Sequence, residues 1–172
     1  MSTPSPATRA AIVAAGALLL LAALFAVRVG LADLDHFRAK KLASGWNAGE
    51  APPSPDDVLR AEAAIQASLR HWRADPDALT LAAQIRGWKG YALAGNDPDA
   101  LNGHYREALA MLREALRLRP AHASTWALVA EYKTLVGERD DEWHLARERA
   151  LELGGADIRL VLRMTRLDAD TP

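Results

Sequence analysis

Four groupings in the sequence bring chemically capable side chains close together. His71 and Asp75 lie four apart, a spacing that puts two side chains on one helix face and permits an ion pair or a shared metal. Asp140, Asp141, Glu142 and His144 make a denser set of oxygen and nitrogen donors. Gly87-Trp88-Lys89-Gly90 has the glycine and lysine content of a phosphate loop. Five tryptophans (Trp46, Trp72, Trp88, Trp126 and Trp143) offer flat faces on which sugar rings could stack. Each grouping also has a plainer explanation. His71 and Asp75 fall at the end of an expected helix, where a surface charge pair is ordinary. The acids at 140–142 open a helix, and negative charge is favoured at the positive end of the helix dipole. The Gly87–Gly90 stretch follows no strand and opens no helix, as a phosphate loop would. Trp72, Trp88 and Trp126 recur at helical spacing, which points to the core. No Gly-x-Ser-x-Gly, Walker or His-Glu-x-x-His pattern occurs, and nothing pairs a nucleophile with a base. The residues therefore point away from an enzyme and call for no metal or cofactor.

Composition narrows the class. Half of the 172 residues are hydrophobic and 25% are charged, which excludes a disordered tail. The formal net charge is -1 with both signs interspersed, so the basic stripe of a nucleic-acid-binding protein is missing. Alanine, leucine and arginine dominate, and the bias is towards helix. No cysteine occurs, which rules out disulfides and thiolate metal sites.

Ala10 to Val27 is a run of 18 residues without a charge, bracketed by Arg9 and Arg28. As a helix it spans roughly 27 Å, close to the hydrocarbon thickness of a bilayer. The run reads as a transmembrane helix, with Arg9 and Arg28 reaching to the head groups. Gly30-Leu31-Ala32 would also serve as a signal-peptide cleavage site, but the run exceeds the usual length of such a peptide and favours a retained anchor. Arg28, Arg38, Lys40 and Lys41 follow the run; taken alone, the positive-inside rule would put the remainder in the cytoplasm. Trp46, in the loop after the anchor, suits the head-group zone that tryptophan prefers.

The expected organisation is thus a tail and anchor over 1–32, a juxtamembrane helix and Gly/Pro-rich linker over 33–54, and an all-α helical domain over 55–168. Ser54-Pro55-Asp56-Asp57 is a helix start with a serine cap, a first-turn proline and acids near the dipole. Val58, Ala61, Ile65, Leu69 and Trp72 then mark an apolar stripe. Asp75-Pro76 starts the next helix, in which Gly87 and Gly90 suggest either close backbone approach by a neighbour or an early fray. Residues 95–103 read as a longer connection with room for one helical turn. A helix from Tyr105 closes at Pro120, another carries Trp126, Val129 and Ala130 and stops at Gly137, and a further one spans 139–153. Residues 157–167 read as a short capping helix.

Ala115-Leu116-Arg117-Leu118 recurs as Ala150-Leu151-Glu152-Leu153, 35 residues on, and Asp75-Pro76 stands where Arg119-Pro120 stands in the next unit. The chain holds about 2.5 copies of a helix–turn–helix unit of roughly 34 residues. On Ala108, Leu112, Ala115 and Pro120, then Trp126, Val129, Ala130 and Gly137, it resembles the tetratricopeptide repeat proteins. It departs from that pattern at Lys133, where the family prefers an aromatic, and at Trp143, where a small residue is expected. The resemblance implies stacked α-hairpins and says little about function. The anchor, the single short repeat domain and the run from Trp126 through Gly154 are also similar to the VpsP family, small accessory proteins of bacterial exopolysaccharide biosynthesis. That resemblance implies a single-pass protein of the bacterial inner membrane with its soluble domain in the periplasm, a side the charge count opposes. It implies protein partners in envelope or polysaccharide assembly. The expected function is a non-enzymatic scaffold, with a carbohydrate-binding module using exposed tryptophans as the alternative. Arg106, Glu131, Tyr132 and Lys133 are the polar residues such a hairpin would present to a partner. A short array also needs a cap from its last segment, from the Phe37 region or from another protein.

Overall fold

The computed structural model describes residues 5–46, 52–95 and 97–169; the expected linker lies partly outside them, at 47–51. Among the described residues the chain is all-α, with seven helices: α1 (Pro6–Ala43), α2 (Pro55–His71), α3 (Pro76–Leu93), α4 (Pro98–Leu118), α5 (Ala123–Leu135), α6 (Asp141–Gly154) and α7 (Ile158–Ala169). One rule starts four of them. Ser5, Ser54, Asp75 and Asp97 each accept hydrogen bonds from first-turn backbone N–H groups, and a proline follows in the first helical turn. Such a proline loses nothing, because its missing N–H would have been unpaired there.

The Asp97-Pro98 start overturns one expectation. Residues 98–103 are the first turns of α4, and only 94–97 connect it to α3. The glycine and asparagine content suggested a loop, but the cap and proline outweigh it. Gly137 does end α5, with φ of +75°. Glu138 N–H donates to Lys133 O at 2.8 Å and Gly137 N–H to Thr134 O at 3.1 Å, which satisfies orphan carbonyls of the last turn.

Helix α1 runs through the apolar segment and on to Ala43 without a break. Its apolar window has a mean hydropathy of 2.7 and none of it is buried, so this one helix is long and apolar enough to cross a membrane. Its last third has a different task. Ala32, Ala39 and Ala43 are buried, and α1 packs along α2 as the first of three antiparallel hairpins, followed by α3–α4 and α5–α6. The hairpins stack in sequence order, and α7 closes the array against α5 and α6. Leu160 and Met164 of α7 are buried there. The array is thus covered at both ends by the chain's own α1, which carries Phe37, and α7, which are two of the three expected sources of a cap.

Two apolar clusters form the interior. One joins Ala39, Trp46, Val58, Ile65 and Ile85 across α1–α3, and the other joins Leu109, Leu112, Val129, Trp143 and Met164 across α4–α7. Met111 packs on both and makes them continuous. Small residues set the spacing. A Cβ on Gly87 would stand 2.9 Å from the Tyr132 ring, and one on Gly90 would stand 2.8 Å from His104 Cβ. The two glycines of α3 therefore admit α5 and α4, as their position in the sequence suggested.

Candidate functional site: an aromatic cleft along alternate helices

A cleft of about 860 Å³ opens along one side of the stack. Helical spacing aims its lining. Gln84, Trp88 and Tyr91 of α3 stand at i, i+4 and i+7, and Leu128, Glu131, Tyr132 and Leu135 of α5 at i, i+3, i+4 and i+7. Arg163, Arg166 and Leu167 come from α7, Tyr105 from α4, Trp46 from the turn after α1, and Pro52 from the segment before α2. The alternate helices α3, α5 and α7 thus share one concave face.

Five aromatic rings line it. Trp88 meets Trp46 edge to face at 6.4 Å and Tyr91 at 5.7 Å, while Tyr105 and Tyr132 stack at 5.6 Å with an interplanar angle of 22°. Stacking leaves Tyr105 and Tyr132 little free ring surface. Tyr91 is different, being 58% exposed, as is Leu135 at 49%. The Tyr132 hydroxyl donates to the Ala83 carbonyl at 3.2 Å, and burial pushes its ionisation well above the ordinary range. Glu131 pairs with Arg163 across the cleft. An open groove with exposed Tyr91 and Leu135, a floor of packed rings and a rim of Glu131, Arg163 and Arg166 suits the binding of an extended or helical segment.

The residues expected to face a partner divide. Arg106 is exposed and lies 3.6 Å from Glu138; Glu131 lines the cleft. Tyr132 and Lys133 are buried instead of presented. Lys133 is 1% exposed because it continues the stripe of Val129 and Ala130 into the interior. Its ammonium donates to Asp140 at 2.8 Å, Glu142 at 3.0 Å and Glu138 at 3.3 Å. Burial alone would lower its pKa, but the three carboxylates outweigh that and raise it above the ordinary value. Arg113 grips Glu142 through two hydrogen bonds of 2.7 and 2.6 Å. Arg113 first, and Lys133 after it, hold the Glu142 carboxyl down at about 2. This cluster locks the α5–α6 turn and so fixes the cleft-lining face of α5.

The other sequence groupings resolve locally. Asp75 caps α3 through Asp77 N–H and Ala78 N–H and lies 3.7 Å from His36, apart from His71. Asp140 caps α6 through Trp143 N–H at 3.1 Å. Gly87–Gly90 lies inside α3, where Lys89 donates to Glu62 at 2.7 Å. Among the described residues no three His, Asp or Glu side chains gather as metal ligands. Trp143 is buried, with Nε1 donating to Thr134 Oγ1 at 2.8 Å, and Trp88 and Trp126 are half-buried against the core. Trp72 is 38% exposed and lies outside both clusters, contrary to the core position expected. Of the three residues expected at the membrane interface, Arg9 is exposed in α1 just ahead of the apolar stretch, and Arg28 binds the end of α2. Trp46 is 8% exposed, packs in the core and stands roughly 27 Å beyond Arg28 along the helix, where it lines the floor of the cleft. No protein-family model matches the chain, and no curated protein matches it.

Proposed function

We propose that the chain is a membrane-anchored, non-enzymatic scaffold whose aromatic cleft takes a segment of a partner protein in the bacterial envelope. In this reading α1 crosses the inner membrane once and the helical array stands on the periplasmic side. The partners make or export exopolysaccharide, as the resemblance to the VpsP family implies. The observation that carries the binding role is the cleft itself: α3, α5 and α7 converge on one open face where Tyr91 and Leu135 stay exposed. The stacking of three hairpins fits the likeness to tetratricopeptide repeats. Anchoring would raise the effective concentration of the cleft near membrane partners, so even a weak contact would be occupied.

Co-purification from the native cell tests this. Full-length protein extracted in mild detergent is expected to bring down polysaccharide-assembly proteins, and a Tyr91→Ala, Leu135→Glu variant is expected to lose them while keeping its helical content. Equal recovery with both would remove the cleft from the account. The carbohydrate reading has one observation in its favour, the free face of Tyr91 beside Trp88. It requires tryptophan fluorescence to change at millimolar saccharide, and an unchanged spectrum would sink it.

A further inference from the structure

The turn between α2 and α3 lies against the part of α1 expected in the bilayer. Helix α2 has 17 residues, about 25 Å, and runs antiparallel to the stretch of α1 from Arg28 to Ala43, which is almost as long. Its last turn is therefore level with the end of the apolar run. Two contacts fix that level. Arg28 Nε donates to the His71 carbonyl at 2.7 Å and Nη2 to the Arg70 carbonyl at 3.4 Å, taking up acceptors that a helix end leaves unpaired. The Trp72 ring meets Phe25 edge to face at 5.5 Å. Phe25 belongs to the apolar run itself, one turn inside Arg28, so a bilayer around α1 would also reach Trp72.

Most arginines of the helical array hold a carboxylate, as Arg60, Arg86, Arg113, Arg117, Arg119 and Arg149 do. Arg70 and Arg73 flank Trp72, are exposed, and make no ion pair among the described residues. Arg28 uses only part of its five-donor fork on the two carbonyls. The opposing acids are Asp33 and Asp75, and Asp75 is committed to the cap of α3. A half-exposed indole between unpaired guanidiniums, at the boundary of an apolar helix, suits the head-group zone. There the ring prefers the interface and arginines pair with lipid phosphate.

We propose that residues 70–73 form a second membrane contact, in which Trp72 enters the head-group layer and Arg70, Arg73 and Arg28 bind the phosphates of anionic phospholipids. The contact rests on α1 being a membrane span. It fixes the helical array against the bilayer at a set angle, since no flexible link separates the span from the first hairpin.

The test uses full-length protein in phosphatidylcholine vesicles with and without phosphatidylglycerol. The chain has no cysteine, so a nitroxide can be placed uniquely at Ala74→Cys, with Leu18→Cys and Ala100→Cys as references. Collision with oxygen and with an aqueous nickel complex reads the depth of each label. The 74 label is expected at phosphate level in the anionic vesicles, with nickel accessibility several-fold below that of the 100 label. Arg70→Gln with Arg73→Gln is expected to return it to the aqueous value. A 74 label as open to nickel as the 100 label, while the 18 label reads mid-bilayer, would overturn the contact and leave the anchor standing. Equal depth with and without phosphatidylglycerol would overturn the assignment to anionic lipid, and equal depth after the arginine substitutions would overturn the role of the two guanidiniums. An 18 label open to nickel would instead remove the span, and the contact with it.

Discussion

Replacing Lys133 with methionine removes a charge from the interior while nearly keeping its volume. The ammonium is held by three carboxylates at 2.8–3.3 Å and has almost no access to water. At an effective dielectric of about 20, each contact near 3 Å carries about 5 kcal/mol of gross attraction, and desolvation of the ammonium cancels much of the sum. Removing one partner of such a cluster costs about 3–5 kcal/mol where the remaining charges stay buried. Here they do not all stay buried: Glu138, Asp140 and Glu142 side chains are 40%, 56% and 33% exposed, and Glu142 keeps Arg113. Water can repay part of the loss, so the expected cost is about 2–3 kcal/mol. The assay is denaturant unfolding of full-length protein in detergent micelles, followed by circular dichroism and by tryptophan fluorescence. Because the lysine is buried, added salt is expected to leave most of the effect in place. The double variant Lys133→Met, Glu142→Gln is expected to cost less than the sum of the single ones. A single-variant loss under about 0.5 kcal/mol, or strict additivity, would refute the view that this cluster holds the α5–α6 turn.

Three further outcomes follow from the same packing. Gly87→Ala puts a methyl against the Tyr132 ring and threatens its hydrogen bond to Ala83. Overpacking is expected to outweigh the gain in helix propensity and leave a net loss of about 1–2 kcal/mol, read from the same unfolding curves. Trp46→Ala is expected to cost about 3 kcal/mol, since it empties a core site; a residue that merely touched lipid would cost the fold little. The Glu142 carboxyl, at about 2 against an ordinary 4.5, gives stability that is complete above its unfolded value and lost as pH falls towards 2. Screening of a one-third-exposed group reduces that contribution to about 1–2 kcal/mol. Melting at about pH 5 and about pH 3 is expected to show a larger drop for wild type than for Glu142→Gln.

Several parts of this structure were legible from residue type and spacing. The uncharged run, the Ser54-Pro55 and Asp75-Pro76 starts, the stop at Gly137 and the small residues Gly87 and Gly90 all rest on local physics. The Asp97-Pro98 start carried the same signal as its two predecessors and was masked by the glycine and asparagine around it. Lys133 needed a longer view. It stands on the apolar stripe of α5, and the acids at 138, 140 and 142 were the sign that a charge there could be satisfied inside. Trp46 and Trp72 depart from their expected places for a tertiary reason. Spacing could not show that α1 continues unbroken and carries Trp46 into the core beside Trp88, or that the end of α2 leaves Trp72 half-exposed against Phe25 of α1. The cleft was least visible, because it draws on five separate segments and only the stacking of the hairpins brings them together.

Photo-crosslinking in the native cell tests the scaffold reading most directly. A photoreactive residue in place of Tyr91, on the exposed part of the cleft, reports whatever occupies it in the intact envelope. The expected result is a discrete crosslink to a polysaccharide-assembly protein, absent when the same probe replaces Arg60 on the outer face of α2. Crosslinks to glycan alone, to a second copy of this chain alone, or equal labelling from both positions would contradict a scaffold that works through this cleft.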